Sequence, residues 1–339
     1  MEKILNTLTF RDILKGLTPE KIQNVGFMQV IPLTSPEADM RFVSPLEGDF
    51  ATVAYGEMVF TNPTGNWMLV PLHTGYITRQ KAQDHALPHL GLVAAKSKRH
   101  FDTGMCIEQS QPGFIEPGNH RFMILPFSLR EAALAVREEK NYAKLWEPIA
   151  LFNAGLGLPK QGHLEYFYRR FEKELNQFVA EFECVPHQVG AIVLINGQVV
   201  GIERTPSPTY WQSVWEPLIR ECYGALAIEF AQKNRNISYN ALREPLKGNI
   251  THIEALSLAL QRAEAAEAEK VRGIVRELLD KQIEIKKNDA QAGLDTYQLD
   301  AENFTGQMVR DAGIVYASVF ARRQSIREQI WNSQLEFEI

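Results

Sequence analysis

Cysteine is scarce in this sequence, with Cys106, Cys184 and Cys222 as the three examples in 339 residues. They are widely spaced, odd in number and form no Cys-x-x-Cys pair, which argues against a disulfide scaffold and a cysteine zinc site. No apolar run approaches the roughly 20 residues needed to span a bilayer, and the N-terminus lacks the apolar segment of a signal peptide. We therefore expect a cytoplasmic protein with free thiols and no membrane contact.

Several sequence motifs that are typical of a known chemistry are also absent. No Gly-x-Gly-x-x-Gly follows a strand and no Gly-x-x-x-x-Gly-Lys-Ser/Thr occurs, so motifs give no support to dinucleotide or P-loop nucleotide binding. Gly-x-Ser-x-Gly and His-Glu-x-x-His are missing as well. The formal charge is −5 with mixed signs along the chain, whereas nucleic-acid binding needs a basic face. We predict no cofactor and no nucleic-acid partner.

The first part of the chain is rich in short β-like runs. Runs at 25–32, 50–60, 67–72, 91–95, 105–109 and 121–125 are separated by turn residues, which is typical of antiparallel strands. Before them, residues 1–24 look helical, with Thr18 as a cap and Pro19 at the first helical position. We predict that 1–24 is an N-terminal helical extension.

The second part contains long helical patterns and two hairpins. The apolar residues of 164–182 recur at steps of three and four, as on one face of a helix. Asn196-Gly197 separates two β-branched runs and predicts a hairpin with a type I′ turn. A charged helix is expected over 251–287, and a closing hairpin over 304–320. Strands do not alternate regularly with helices, so we predict an α+β fold with a single domain over 25–322 and a tail over 323–339.

Polar residues concentrate between Tyr76 and Gln109. Five of the eight histidines lie within or just beside this stretch. Gln83, Asp84 and His85 would offer an amide, a carboxylate for a ribose diol and a titratable imidazole to a ligand. The alternative is a solvated loop or the start of a helix.

Cys106 and Glu108 lie two residues apart on a probable strand, so their side chains face the same way. A thiolate or a carboxylate acting on a ligand is one interpretation, with His85, His89 or His100 as a base for the thiol. A buried cysteine beside a surface glutamate is the other. We predict Cys106, Glu108 and His85 as catalytic candidates.

Two further patterns around this stretch have weaker interpretations. His85 and His89 are four residues apart, which on a helix would suit a metal, but Pro88 disfavours helical geometry there. We therefore predict no metal site. Lys98 and Arg99 belong to a basic run that would contact phosphates or would simply be a solvated loop.

Several separated segments together resemble the protein domain family named for its association with ADP-ribosylglycohydrolases and rhodanese-phosphatases. The resemblance spans about 25–322. It is carried by Val30-Ile31-Pro32-Leu33, Gln83-Asp84-His85, Cys106-Ile107-Glu108-Gln109, Val189-Gly190-Ala191-Ile192-Val193, Asn196-Gly197 and the hairpin 306–320. Ala82 stands where the family has a lysine, with Lys81 beside it, and Asp84-His85 replaces the family's Asn-Arg.

The resemblance implies a function without a mechanism, because a fold family does not by itself define a reaction. We expect a site for a nucleotide-like or ADP-ribose/NAD-derived small molecule, which the protein would bind and could process. Lys81, Gln83, Asp84, Gln109, Lys98 and Arg99 are the predicted ligand contacts. The alternative is a non-catalytic interaction subunit of a stress or defence assembly, with a protein partner held through helix 251–287 or the tail.

Overall fold

A computed structural model describes residues 7–78, 83–110, 113–115, 120–234, 245–248, 250–291 and 294–326, without the side chains of 289–291. Among the described residues the strands are β1 Thr7–Thr9, β2 Thr18–Pro19, β3 Gln23–Val25, β4 Met28–Thr34, β5 Phe42–Val43, β6 Asp49–Ala54, β7 Glu57–Asn62, β8 Trp67–Val70, β9 Thr74–Ile77, β10 His85–Ala86, β11 Gly91–Val93, β12 Ser97–Phe101, β13 Met105–Cys106, β14 Arg121–Ile124, β15 Gln188–Ile195, β16 Gln198–Arg204, β17 Gln282–Gln291, β18 Leu294–Asp300, β19 Phe304–Arg310 and β20 Ile314–Ala321.

The helices of the same residues are α1 Phe10–Leu14, α2 Phe127–Ala135, α3 Trp146–Gly155, α4 Glu165–Arg170, α5 Glu172–Glu181, α6 Pro208–Glu216, α7 Gly224–Lys233, α8 Ile253–Leu279 and α9 Arg323–Ile326. A 3-10 turn covers Pro45–Glu47, and a π-helix covers Pro217–Tyr223 between α6 and α7. The predicted α+β class is confirmed, with short strands dominating the N-terminal half and the longest helix in the C-terminal half.

The largest sheet joins ten strands in the order β1-β17-β18-β19-β20-β16-β15-β4-β2, with β3 beside β4. Both predicted hairpins lie in it, as β15/β16 and β19/β20. At the first hairpin Asn196 and Gly197 have φ values of 49° and 79°, as a type I′ turn requires. The four strands of the two hairpins are buried along most of their length, so this part of the sheet forms one wall of the core.

Three smaller sheets are formed by strands between β5 and β14. Their orders are β13-β10-β9-β14, β11-β8-β5 and β12-β7-β6. The first of them is antiparallel throughout and brings together residues from the polar stretch, because β10 pairs with both β9 and β13. This small sheet is the part of the fold that positions the site.

The N-terminal segment differs from the predicted helical extension. Thr18–Pro19 is strand β2, which pairs with Leu33 and Thr34 of β4 instead of starting a helix. The helix that does form, α1, is capped by Thr9, and its Phe10 and Ile13 are buried in the main core. The described part of the segment therefore adds strands to the large sheet. The domain boundaries at 25 and 322 stay predictions.

The predicted helix 251–287 is too long. Helix α8 ends at Leu279, and residues from Gln282 onward form β17, which pairs with β1 and β18. Ile283 and Ile285 alternate with charged residues, and Ile283 is buried, which is the period of a strand. The hydrophobic period changes from helix to strand within a few residues, and the dense charge of both segments hides this change.

The aromatic helix over 164–182 is present but is divided in two. Phe171 lies between α4 and α5, and the backbone there leaves helical geometry. The apolar residues of this stripe are nevertheless all buried, as predicted for a core-facing surface: Leu164, Phe167, Phe171, Leu175, Phe178 and Phe182. A polar face beside this stripe lines the cleft described below, together with Leu175 at its edge.

Candidate functional site

The two segments predicted to share a site are neighbouring strands of the small sheet. His85 pairs with Cys106, and the Ile107 N–H donates to the Asp84 carbonyl at 2.9 Å. The Gln83 amide lies 3.5 Å from the carbonyl oxygen of Glu108. All five predicted residues in these segments are buried, with 5% or less of each side chain exposed: Gln83, Asp84, His85, Cys106 and Glu108.

His85 has both ring nitrogens engaged in this interior. Nε2 accepts a 3.0 Å hydrogen bond from the Gly56 N–H, so Nδ1 carries the proton and donates to the Gln83 carbonyl at 2.7 Å. Burial lowers the pKa of His85 to about 4. The imidazole is therefore neutral and already bonded on both sides, which does not favour the predicted role in proton transfer.

Cys106 is similarly enclosed. Its Sγ donates to the Glu108 carbonyl at 3.1 Å, and burial raises the pKa of the thiol to about 12. A nucleophilic cysteine must be a thiolate near neutral pH. The surroundings of Cys106 favour the thiol instead, so neither Cys106 nor His85 enters the function proposed below.

Asp84 is held by Thr78, which directly follows strand β9. Its Oδ1 accepts from the Thr78 N–H at 2.6 Å and from the Thr78 hydroxyl at 2.9 Å. Its Oδ2 is buried and has no hydrogen-bond partner among the described residues. Burial raises the pKa of Asp84 to about 7, against the lowering effect of the Thr78 hydrogen bonds.

Glu108 joins the small sheet to the beginning of α4. One carboxyl oxygen accepts the Glu165 backbone N–H, and the other lies 3.0 Å from Nδ1 of His163. Burial raises the pKa of Glu108 to about 9, and the Asp84 and Glu165 carboxylates add to this effect. Burial also lowers the pKa of His163. We therefore interpret the contact as a protonated Glu108 donating to a neutral His163.

Next to this buried group the structure contains an open polar cleft of about 370 Å³. It lies between the end of the small sheet, α4, α5 and the π-helix. Three arginines and three glutamates face one another in it, beside a short apolar wall. The lining residues are Ile77, Arg121, Glu165, Tyr168, Arg169, Glu172, Leu175, Asn176, Arg220 and Glu221.

Glu221 organises one side of the cleft. Its Oε1 accepts from the Arg121 guanidinium and from Nε and Nη2 of Arg220, the latter two at 2.9 and 2.6 Å. Its Oε2 is buried without a hydrogen-bond partner among the described residues. Burial raises the pKa of Glu221, and the Arg121 guanidinium opposes this shift. One acceptor oxygen of this otherwise fixed side chain is thus buried and unpaired among the described residues.

The local sequence explains how these side chains reach the cleft. Pro217 has no N–H to continue the hydrogen-bond ladder of α6, and the chain widens into the π-helix that carries Arg220 and Glu221. Single π-helical turns within helices are frequent at functional sites. On α4 and α5, polar residues repeat at steps of four, three and four and so share one face: Glu165, Arg169, Glu172 and Asn176.

Sequence reasoning missed these cleft residues, although a signal was present. The apolar stripe of 164–182 drew attention to the core side, and the polar stripe at the same spacing was not considered. Arg220 and Glu221 follow the bend that Pro217 predicts. The sequence could not show that Arg121, 100 positions before Glu221, would face both the π-helix and the polar stripe of α4 and α5.

The remaining predicted contacts lie elsewhere or cannot be placed. Lys98 and Arg99 are on β12 in the sheet β12-β7-β6, where Arg99 donates to the Leu92 carbonyl at 2.8 Å and stacks 4.7 Å from the Phe101 ring centroid. Gln109 is exposed, and its Oε1 accepts from the Gly162 N–H at 3.2 Å. Lys81 lies outside the described residues. The described lining of the cleft includes neither Lys98, Arg99 nor Gln109.

His89, considered with His85 for a metal, has its own partners. Its Nδ1 lies 2.8 Å from the Leu90 carbonyl, and its Nε2 lies 2.9 Å from the Thr103 hydroxyl. Within the part of the chain that the structure describes, no group of three or more His, Cys, Asp or Glu side chains is arranged to hold a metal ion. No helix among those same residues has the length and apolar character to cross a bilayer.

The fold and the cleft define an α+β protein with a charged, ligand-sized recess where its small sheet meets three helical segments. The chain belongs to the ARG and Rhodanese-Phosphatase-superfamily-associated Protein domain family, whose model matches residues 16–320. This confirms the resemblance found in the sequence. The family name associates it with ADP-ribosylglycohydrolase and rhodanese-phosphatase proteins. No curated protein and no solved structure matches the chain.

Proposed function

We propose that the cleft binds a nucleotide-like or ADP-ribose/NAD-derived small molecule. The observation that carries this proposal is that three guanidinium groups line one cleft, and that two of them pair with a fixed, buried carboxylate whose Oε2 lacks a partner among the described residues. Arginine forks recognise phosphate oxygens, and a carboxylate oxygen accepts hydrogen bonds from ribose hydroxyls. The association in the family name points to the same class of compounds.

The predicted residues support this proposal indirectly, because they lie next to the cleft and do not line it. Asp84 and Glu108 lie behind the cleft wall, and Glu108 bonds directly to the backbone of Glu165. The electrostatic effect of Arg121 and Glu165 on the pKa of Asp84 indicates that all three are neighbours. Among the residues predicted as catalytic, Glu108 is the one beside the cleft with a proton to give near neutral pH. A processing step would therefore draw on Glu108.

A binding experiment tests the proposal directly. Isothermal titration of the folded protein with ADP-ribose, NAD and AMP should show saturable binding for at least one of them. Arg169→Gln should weaken that binding, since Arg169 is exposed in the cleft and its loss leaves the fold intact. Arg170→Gln is the matched control, because Arg170 is adjacent but is not among the described lining residues. Absence of binding for all three compounds would refute the proposal.

An observation on α8 favours a second function, that of an interaction subunit in a stress or defence assembly. Ile253 is 73% exposed and Leu258 is 47% exposed on this helix. Apolar groups on an otherwise charged helix suit a protein contact. A partner that copurifies with the chain should be lost with Ile253→Ser and Leu258→Ser, and retained with Met40→Ser, an exposed residue elsewhere. Retention of the partner by the α8 variants would exclude this helix as the contact.

A further inference from the structure

We infer that the cleft recognises the ribosyl-phosphate part of its ligand, with one phosphate and the free 2-hydroxyl of the ribose as the determinants. This inference rests on the proposed function and narrows it. It follows from how the described charges in the cleft are already used, from the Oε2 of Glu221, which has no partner among the described residues, and from the volume of the recess.

Among the described residues of the cleft, one arginine is left for a phosphate. Arg121 and Arg220 both bond to Oε1 of Glu221, and Arg220 also pairs with Glu216 at 2.8 Å. Arg169 is exposed in the cleft and has no ion pair among the described residues. The three arginines face Glu165, Glu172 and Glu221. A recess with one unpaired arginine among its described residues would bind a single phosphate at Arg169 and would disfavour a longer polyphosphate.

The Glu221 side of the cleft would be stabilised by a ligand that donates a hydrogen bond. Glu221 is 1% exposed, and its Oε2 is a buried acceptor without a partner among the described residues. An unpaired buried acceptor is costly, so a ligand that donates to it gains affinity and an analogue without the donor is rejected. A phosphate oxygen would be repelled at this point. A sugar hydroxyl supplies the donor, and a sugar phosphate carries it on the same molecule as the phosphate bound at Arg169.

The size of the recess agrees with a sugar phosphate. Its volume of about 370 Å³ is near the lower end of the range of roughly 300–1,000 Å³ for small-molecule pockets. Ile77, Tyr168 and Leu175 provide a small apolar wall against which the carbon skeleton of a sugar can pack. A complete dinucleotide would extend beyond the recess, with its base outside.

Four ligands test the inference with the unmodified protein: ADP-ribose, ribose 5-phosphate, 2-deoxyribose 5-phosphate and inorganic phosphate. Ribose 5-phosphate should bind and should compete with ADP-ribose. The deoxy sugar should bind at least about tenfold more weakly, as expected when a buried acceptor is left unpaired. Inorganic phosphate should bind more weakly still, because it has no sugar hydroxyl for Glu221 and no carbon skeleton to pack on the apolar wall.

The outcomes separate the inference from the proposed function. If ADP-ribose binds and ribose 5-phosphate neither binds nor competes, the inference is wrong and the proposed function stands. Equal affinity for the two sugar phosphates also overturns it. If ribose 5-phosphate binds while ADP-ribose, NAD and AMP do not, the nucleotide function is wrong and the recess is a sugar-phosphate site. If nothing binds, both are wrong.

Variants assign the two determinants to their residues. Arg169→Gln should lower affinity for both sugar phosphates by a similar factor, while Arg170→Gln should leave both affinities unchanged. Glu221→Gln should reduce the discrimination between ribose and deoxyribose more than it changes phosphate binding. If the buried Glu221→Gln variant fails to fold, the comparison of the two sugars on the unmodified protein decides the question.

Discussion

The Glu108 carboxyl and the His163 imidazole form a hydrogen-bonded pair at the back of the cleft. The pair illustrates how burial sets the chemistry of single residues here. Removal from water raises the pKa of Glu108 to about 9 and lowers that of His163, so both groups favour their neutral forms. The same effect raises the pKa of Asp84 to about 7. Residue identity predicted that these groups can titrate, and the enclosing structure determines the pH at which they do.

Glu108→Gln tests whether burial keeps the Glu108 carboxyl protonated. A group whose pKa is raised on folding contributes stability that is present below its unfolded pKa and is lost as pH rises through the folded pKa. For Glu108 this window runs from the ordinary glutamate pKa of 4.5 to the folded-state pKa of about 9, with a slope of at most about 1.4 kcal/mol per pH unit. Glutamine can keep both hydrogen bonds and does not ionise.

Urea unfolding at pH 5, 7 and 9 measures this effect. The Gln variant should match the unmodified protein at pH 5 and be more stable at pH 9. Glu47→Gln, at an exposed position, should follow the unmodified protein throughout. If the Glu108→Gln profile runs parallel to that of the unmodified protein, Glu108 is charged in the native state and our interpretation of its contact with His163 is wrong.

At the level of elements, turns and breaks follow local chemistry more closely than element ends do. The hairpin at Asn196-Gly197 was predicted from the two residues that accept positive φ. Pro217 predicted the disturbance after α6, although not that it would be a π-helix. The end of α8 was misplaced because β1, which pairs with the residues after Leu279, is far away in the sequence. Local patterns fix an element when no distant partner competes for it.

Gly197→Ala and Gly273→Ala should change stability in opposite directions. A Cβ at either position would meet no atom within 4 Å, so backbone conformation alone decides the result. Gly197 has a φ of 79°, where an alanine costs about 1–2 kcal/mol. Gly273 lies inside α8, where alanine stabilises by roughly 0.5–1 kcal/mol. Chemical denaturation of the two variants measures this, and a shift of the same sign in both would contradict it.

At the level of the whole molecule, the sheets and helices are joined by a buried polar network centred on Arg130 of α2. Arg130 is fully buried and donates to His73, Glu203 and Ser318 at 3.1, 3.1 and 2.6 Å. These partners come from the loop before β9, from β16 and from β20. The network therefore ties α2 and the small sheet to the large sheet, over separations that reach 188 positions.

Arg130→Met should be severely destabilising. The substitution removes the charge but leaves Glu203 buried, and breaking a buried ion pair in this way costs roughly 3–5 kcal/mol. Adding Glu203→Gln should recover part of that loss, because the remaining carboxylate is then neutral. Denaturant midpoints of the single and double variants test this. A double variant less stable than Arg130→Met would contradict the explanation.

A chain that begins at Val25 tests the predicted domain boundary. The described part of the preceding segment supplies β1, β2 and β3 to the large sheet and buries Phe10 and Ile13. We expect the shortened chain to unfold at lower temperature or to fail to fold, since edge strands and core side chains are removed together. Thermal unfolding measures this, and an unchanged melting temperature would restore the interpretation of 1–24 as a separate extension.

By itself the sequence determined the α+β class, the family, both hairpins and the buried aromatic stripe, because these depend on short-range periodicity and on residues with special backbone freedom. That Gln83, Asp84 and Glu108 share a site was a hypothesis from the polar clustering and the resemblance. The tertiary structure decided that these groups are sealed behind a wall and that the cleft belongs instead to Arg121, Arg169, Arg220 and Glu221. Solvent access and the meeting of distant segments are properties of the packed chain, and no local pattern encodes them.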